Sequence, residues 1–330
     1  MKETLRYLFE YKSFTKEEAY TILTNIATGK YDSHQIAAFM TIYGMRSIRV
    51  EELSGFRDAM YDLCLQLEFP GYDLIDLCGT GGDGKNTFNI STLASFVVAG
   101  AGYHVAKHGN VGVSSGCGSS NVMEYLGYRF TNDKDELSKQ LEEANICFLH
   151  APLFHPAMKT VAPIRKALGV KTFFNMLGPL TNPANPKYQS VGVFSLELAR
   201  LYNYLYQQTD KQYSIVHALD GYDEISLTGD FKIINNQGEK VYSVAQLGFE
   251  EPLQASSLAG GDTVEEAAAI FSAILKGEGT VAQNNAVLTN AAFAIKTIHP
   301  EKSFADCYYE AEESLLGSSA LASFRKVTNN

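Results

Sequence analysis

The sequence has no run of lysines or arginines, no long low-complexity tract and no internal repeat. With a formal net charge of -10 at pH 7, the missing basic run argues against a general surface for nucleic acid or anionic membrane, so any anion site must be built locally. No apolar stretch approaches a membrane span, and the first residues, MKETLRYLFEYKS, carry charges throughout and lack the apolar centre of a secretory leader. The five cysteines (Cys64, Cys78, Cys117, Cys147 and Cys307) are scattered and odd in number, without a C-x-x-C pair. That pattern excludes a disulfide framework, argues against structural zinc and suits reduced thiols. A soluble, cytoplasmic protein with neither membrane nor nucleic-acid partners is expected. Its 330 residues, 45% of them hydrophobic, suffice for one large core and a smaller satellite domain.

What is present divides into two textures. Residues 1–68 read as all-helical: Thr15 with Glu18 forms a capping box, Ser33 precedes a helical segment from Gln35 to Tyr43, and Leu53, Phe56, Met60 and Leu63 make one apolar stripe. From Leu74 onward short apolar strands alternate with helices, at 74–78, 92–101, 104–106 and around 121–126, the pattern of a parallel sheet. The segment 155–186, helical in its middle and proline-rich at its end, interrupts this and is expected to pack on the N-terminal helices. Strands resume at Val191–Phe194 and Tyr213–Ala218. Phe231–Asn235 and Lys240–Tyr242 then flank a turn, and Asp262 with Glu265 is expected to cap a long helix. The fold expected is α/β: a small helical domain of residues 1–68, joined by 155–186, and a large domain of 69–154 and 187–330 with a mainly parallel sheet.

The stretch Asp76–Thr92, DLCGTGGDGKNTFNIST, places four glycines and a ladder of small polar side chains between a buried strand and a buried helix, with Ser91 or Thr92 as the expected N-cap. Glycines let backbone N–H groups close on an anion and a helix N-terminus adds positive charge, so this turn is suited to phosphate. Gly79, Gly81 and Gly84 formally satisfy the dinucleotide fingerprint. The second strand, however, ends in Lys107-His108 rather than in the acidic residue a ribose requires. A nucleotide-triphosphate loop is missed as well, because Asn86 stands where Ser or Thr should meet magnesium.

A second glycine- and hydroxyl-rich stretch, KHGNVGVSSGCGSSN at 107–121, again precedes a helix. Loops after neighbouring strands converge at one sheet edge and could hold two phosphates together. The adjacent carboxylates Asp223 and Glu224 come just after the expected Tyr213–Ala218 strand. Alone, such a pair is a solvated turn; beside two anion loops it suits Mg²⁺ bound with substrate phosphates, which would relieve the repulsion.

These motifs in this order, with NMLGPLTNP at 175–183, resemble the anthranilate phosphoribosyltransferase family of tryptophan biosynthesis, over nearly the whole chain. Single pieces recur in the related pyrimidine nucleoside phosphorylases. The resemblance implies a helical domain beside an α/β domain, a homodimer formed through the helical domain, and Mg²⁺, two ions per chain. It further implies that phosphoribosyl pyrophosphate (PRPP) is held by Gly79, Gly82, Asp83, Thr87, Asn89, Ile90, Ser91 and Thr92. Lys107, His108, Gly109, Asn110, Val111, Gly112, Val113, Ser114, Ser115 and Ser119 would complete that site. Gly79, Asn110 and Arg165 would meet anthranilate, the arginine because a guanidinium pairs bidentately with a carboxylate; Ser91, Asp223 and Glu224 would bind the metal.

Val111, Gly116 and Asn121 depart from residues common in that family: arginine, a lysine or other polar residue, and aspartate. The second loop thereby loses cationic character, and the first loop is expected to bear more of the anion. No residue is assigned as general acid or base, since an aromatic amine attacks as the neutral species. His108 and His155 are read as packing or substrate-contacting groups and Cys78 and Cys117 as packing residues. The alternatives are a pyrimidine nucleoside phosphorylase of the same fold and a non-catalytic relative that binds nucleic acid.

Overall fold

Short apolar strands, each flanked by turn residues, assemble into a seven-stranded sheet of order β3-β2-β1-β4-β5-β6-β7. The computed structural model of the chain describes residues 1–110 and 118–328. It separates into two compact units, Met1–Glu68 with Ala151–Asn185 and Phe69–His150 with Pro186–Asn330.

In the larger unit the strands are β1 (Leu74–Gly79), β2 (His104–Gly109), β3 (Ile146–His150), β4 (Tyr188–Gly192), β5 (Gln212–Ala218), β6 (Phe231–Asn235) and β7 (Gly238–Tyr242). The first five run parallel and β6 and β7 close one edge antiparallel. The register of β4 corrects the strand expected at Val191–Phe194: pairing with β1 begins at Tyr188, so the buried Tyr188 and Gln189 open the strand. Neither β3 nor the helix Lys134–Ala144 before it is among the elements assigned from sequence. The order of strands reverses at β1, which has β2 on one side and β4 on the other. Open parallel sheets bind ligands outside the carboxyl ends of such strands.

The helix after the first glycine loop spans Ile90–Gly100 and is buried on nearly every side, as expected of a helix apolar all round. Phe96 packs edge-on against Phe271 and Phe324, which belong to helices Val264–Leu275 and Ser319–Thr328. The loop is thus rooted in the centre of the core. Its N-cap is Asn89, not Ser91 or Thr92, and Asn89 makes no side-chain capping bond. The helix Val264–Leu275 is capped by Thr263, whose hydroxyl accepts the Glu266 N–H at 3.2 Å. That corrects the expected Asp262–Glu265 pair by one residue.

In the smaller unit the Thr15–Glu18 capping box forms as expected. Asp32, rather than Ser33, caps Ser33–Met45 by accepting the His34 N–H at 2.9 Å. Phe39, Phe56 and Phe173 form an aromatic cluster, with centroids 6.1 Å apart for the first pair and 4.7 Å for the last. The 3₁₀ turn Phe173–Met176 is thereby tied to the helices. Thr160 of the helix Met158–Leu168 donates to Ala27 O at 3.1 Å. Among the described residues no helix is long and apolar enough to cross a membrane.

Candidate functional site

Both glycine-rich loops leave the carboxyl ends of neighbouring strands, the first after Gly79 of β1 and the second after Gly109 of β2. The first is pinned by residues far along the chain. Phe88 N–H donates to Leu258 O at 3.0 Å, Gly260 N–H to Asn86 O at 2.8 Å, and Thr87 pairs with Ala259. A side chain at Gly260 would lie 2.5 Å from Thr87 O, so only glycine permits this approach.

Asp223 and Glu224 fold into that loop. Gly81 N–H donates to Asp223 Oδ2 at 2.7 Å, Ser91 N–H to Glu224 Oε1 at 3.1 Å, and Thr87 Oγ1 to Glu224 Oε2 at 3.3 Å. Room for Asp223 comes from missing side chains on both strands at the reversal of strand order. A Cβ on Gly79 would sit 2.5 Å from Asp223 Oδ2, and one on Gly192 only 1.5 Å from Asp223 O. Thr80 N–H, donating to Gly192 O at 2.9 Å, keeps these two strand ends together.

Burial, then the Asp83 charge, pushes Asp223 up to about 7 despite the Gly81 N–H. Burial, then the charges of Asp223 and Asp83, pushes Glu224 up to about 8. Carboxylates raised in this way are stabilised by a nearby cation. Among the described residues no group of three or more His, Cys, Asp or Glu is arranged to hold a metal. Mg²⁺ needs no such cage, because it takes one or two carboxylates and completes its shell with waters and substrate phosphates. An all-oxygen set of Asp223, Glu224 and the Ser91 hydroxyl therefore fits Mg²⁺.

Lys107 connects the two motifs. The residue is 3% exposed, and its ammonium donates to Leu77 O and lies 3.5 Å from Ser91 Oγ. Burial lowers its pKa, and the charge of Asp76 opposes that shift. Asp76 itself is fully buried in β1; its carboxylate accepts the His108 N–H at 3.1 Å and Gln189 Nε2 at 3.3 Å. His108 is thus held in place by packing and its backbone. The hydroxyls of Thr80 and Thr92 are buried and make no hydrogen bond among the described residues.

Other expected site residues are placed less uniformly. Gly82 and Asp83 lie in the first loop, where Asp83 Oδ1 accepts the Lys85 N–H at 3.0 Å. Ile90 is fully buried and its N–H is already donated to Phe88 O at 2.6 Å, so it offers a ligand no donor. Ser119 Oγ donates to Asn110 O at 3.4 Å, beside Gly109. Val111, Gly112, Val113, Ser114 and Ser115, with Gly116 and Cys117, lie outside the described residues. Asn121 sits in the first turn of Ser119–Tyr125, its N–H donating to Gly118 O. Burial raises the Cys78 thiol well above its ordinary range, in keeping with a packing role.

Arg165 belongs to the smaller unit, on the helix Met158–Leu168. Its Nη2 donates to Asn175 Oδ1 at 3.3 Å and its guanidinium lies 5.7 Å from the centre of the Phe174 ring. His155 is buried in that unit, its N–H donating to Ala151 O at 2.9 Å.

Residues 71–321 match the model of the glycosyl transferase family a/b domain, and residues 2–64 that of its helical bundle domain. The anthranilate phosphoribosyltransferase of Christiangramia forsetii is 57% identical over 330 residues, 99% of this chain and 98% of its own length. That of Cytophaga hutchinsonii is 55% identical over 99% of each chain. Among solved structures, the Thermus thermophilus enzyme of that name superimposes with a TM-score of 0.91 at 32% identity, over 98% of both chains. The Saccharomyces cerevisiae enzyme in complex with PRPP and Mg superimposes at 0.86, with 26% identity, over 96% of this chain and 93% of that one. The match of both domains, the extent of these likenesses and the paired glycine loops agree: the chain belongs to the anthranilate phosphoribosyltransferase family.

Proposed function

We propose that this protein transfers the phosphoribosyl group of PRPP to the amino nitrogen of anthranilate, in tryptophan biosynthesis, with release of pyrophosphate. One observation carries the reading. Asp223 and Glu224 are hydrogen-bonded into the first glycine loop while Lys107 of the second motif reaches Ser91 of the first. The first loop, the acidic pair and Lys107 of β2 thus lie together, bringing an ammonium and two carboxylates to the glycine turn. The names of the relatives support the choice of substrates, and the yeast complex with PRPP and Mg supports the diphosphate and the metal.

In this reading the C1–O bond of PRPP breaks as the anthranilate nitrogen forms a bond to C1, and the electron pair leaves with the diphosphate. Positive charge grows on the ribosyl group and negative charge on the leaving oxygens. The Lys107 ammonium, 3.5 Å from Ser91 Oγ, would oppose that negative charge, the kind of electrostatic contribution that matters most in such reactions. Mg²⁺, two ions held through Ser91, Asp223 and Glu224, supplies Lewis-acid neutralisation of the diphosphate. The neutral aromatic amine needs no strong base, and no residue is assigned to proton transfer.

Arg165 pairs with the anthranilate carboxylate. Its guanidinium is half-buried and, among the described residues, has no carboxylate partner, which suits an incoming carboxylate. Exposed Phe9, Tyr11 and Met45 of the helical unit support a homodimer formed through that unit. The four cysteines among the described residues are unpaired, which supports a cytoplasmic setting.

The test is identification of the product. Purified protein with PRPP, Mg²⁺ and anthranilate is expected to yield phosphoribosyl-anthranilate by mass spectrometry. Release of uracil from uridine and inorganic phosphate, with no phosphoribosyl-anthranilate, would instead mark a pyrimidine nucleoside phosphorylase.

A further inference from the structure

Asn175 holds two donors on one oxygen. Its Oδ1 accepts the Thr172 N–H at 3.1 Å and Arg165 Nη2 at 3.3 Å, while the Asn175 backbone N–H donates to Thr172 O at 3.0 Å. The amide is therefore oriented by the backbone of the 3₁₀ turn before it meets the arginine. The guanidinium also lies over Phe174, whose ring stacks on Phe173 at 4.4 Å. Phe173 in turn belongs to the aromatic cluster with Phe39 and Phe56. The arginine is thus fixed at one N–H and over one ring, and the platform beneath it is tied to the core of its unit.

We propose that Asn175 is a specificity-determining positioning residue: its neutral amide oxygen orients the Arg165 guanidinium for an acceptor carboxylate without neutralising its charge. This rests on the reading that Arg165 receives the carboxylate of anthranilate. A guanidinium has five N–H donors, and the amide engages one nitrogen of the fork, so the remaining donors stay open for bidentate pairing. Aspartate at 175 would have the same size and would accept the same two N–H groups. It would also place a permanent anion against a half-desolvated cation, and the substrate carboxylate would then meet a pair with no net charge. Alanine would free the guanidinium but leave its charge available. The chemistry of the position therefore calls for an uncharged acceptor.

The experiment compares Asn175→Asp, Asn175→Ala and Arg165→Ala for KM of anthranilate, KM of PRPP and Tm. Inhibition by anthranilamide, which lacks the charge, is measured alongside. Asn175→Asp is expected to raise the anthranilate KM roughly tenfold or more, with PRPP KM and Tm close to the parent. Asn175→Ala is expected to give a smaller rise. The preference for anthranilate over anthranilamide is expected to fall in Asn175→Asp, and a merely structural role would not move that ratio. If Arg165→Ala raises the anthranilate KM but Asn175→Asp changes neither KM nor the ratio, the role of Asn175 is overturned while that of Arg165 stands. If Arg165→Ala leaves the anthranilate KM unchanged, the underlying reading of Arg165 fails.

Discussion

Glu224 accepts the backbone N–H of Ser91 at 3.1 Å, which seats an acidic side chain from beyond β5 on the first turn of the helix Ile90–Gly100. A carboxylate is favoured at a helix N-terminus by typically 0.3–1 kcal/mol, a roughly known figure for exposed sites. Burial and the neighbouring Asp223 and Asp83 charges nevertheless win, because Glu224 is pushed up to about 8 and Asp223 to about 7. The helix alone does not satisfy this cluster of anions.

A pH dependence of stability follows. Both carboxyls have folded-state pKa values above their unfolded ones, so the metal-free native state binds more protons than the unfolded chain between pH ~4 and ~8. Stability from these groups is present at low pH and lost as pH rises through about 7 and 8. The Tm of metal-free protein should fall across that window, and Mg²⁺ should raise Tm more at pH 8 than at pH 6. Asp223→Asn should flatten both trends. Thermal unfolding with and without Mg²⁺ checks this, and an equal Mg²⁺ effect at both pH values would contradict it.

Gly192→Ala should remove the metal site without touching a ligand. Its new methyl carbon would meet Asp223 O at 1.5 Å, a backbone atom that must move. Overpacking of this kind costs about 1–3 kcal/mol or more, and here the strain falls on Asp223. The variant should have a lower Tm in denaturation scans and should lose Mg²⁺-dependent stabilisation. Parent-like stabilisation by Mg²⁺ would refute the argument.

Lys107→Met should weaken PRPP and spare anthranilate. The buried ammonium bridges Leu77 O and the neighbourhood of Ser91, and a charged hydrogen bond to an anion contributes about 1.5–3 kcal/mol. PRPP KM should rise about tenfold to a hundredfold in steady-state kinetics. Lys107→Arg should not restore it, because a planar fork does not replace a compact ammonium in a filled strand interior.

In the smaller unit the fully buried Glu52 carboxylate accepts from Nη1 and Nη2 of Arg46, from Tyr43 Oη at 3.0 Å and from the backbone N–H groups of Phe14 at 3.2 Å and Arg49 at 3.0 Å. Glu52→Ala leaves Arg46 without its counter-charge, and breaking a buried pair costs about 3–5 kcal/mol. Denaturant titration should show a loss of that order.

The parts of the site that share a local pattern were legible in the sequence. The glycine loop before a buried helix, the Lys107 stretch and the Asp223–Glu224 pair each announce their chemistry within a few residues. The residues that make them one site do not. Gly192, Gly260 and the Asp76–Gln189 pair are single positions whose roles depend on a partner strand or a segment far along the chain. The strand Ile146–His150 is five residues of apolar sequence between two helices, and its pairing with β2 is what defines it. Cap positions shifted by one to three residues, at Asn89, Asp32 and Thr263, because several small polar side chains stand close together and backbone geometry selects among them.

The central claim is that Asp223 and Glu224 form an Mg²⁺-dependent diphosphate site that drives transfer to anthranilate. The most direct measurement is the fluorescence of anthranilate after PRPP is added to purified protein, with Mg²⁺ and with chelator, for the parent and for Asp223→Asn with Glu224→Gln. Rapid loss of fluorescence is predicted only for the parent with Mg²⁺. Loss at the same rate in chelator, or in the folded double variant, would contradict the account.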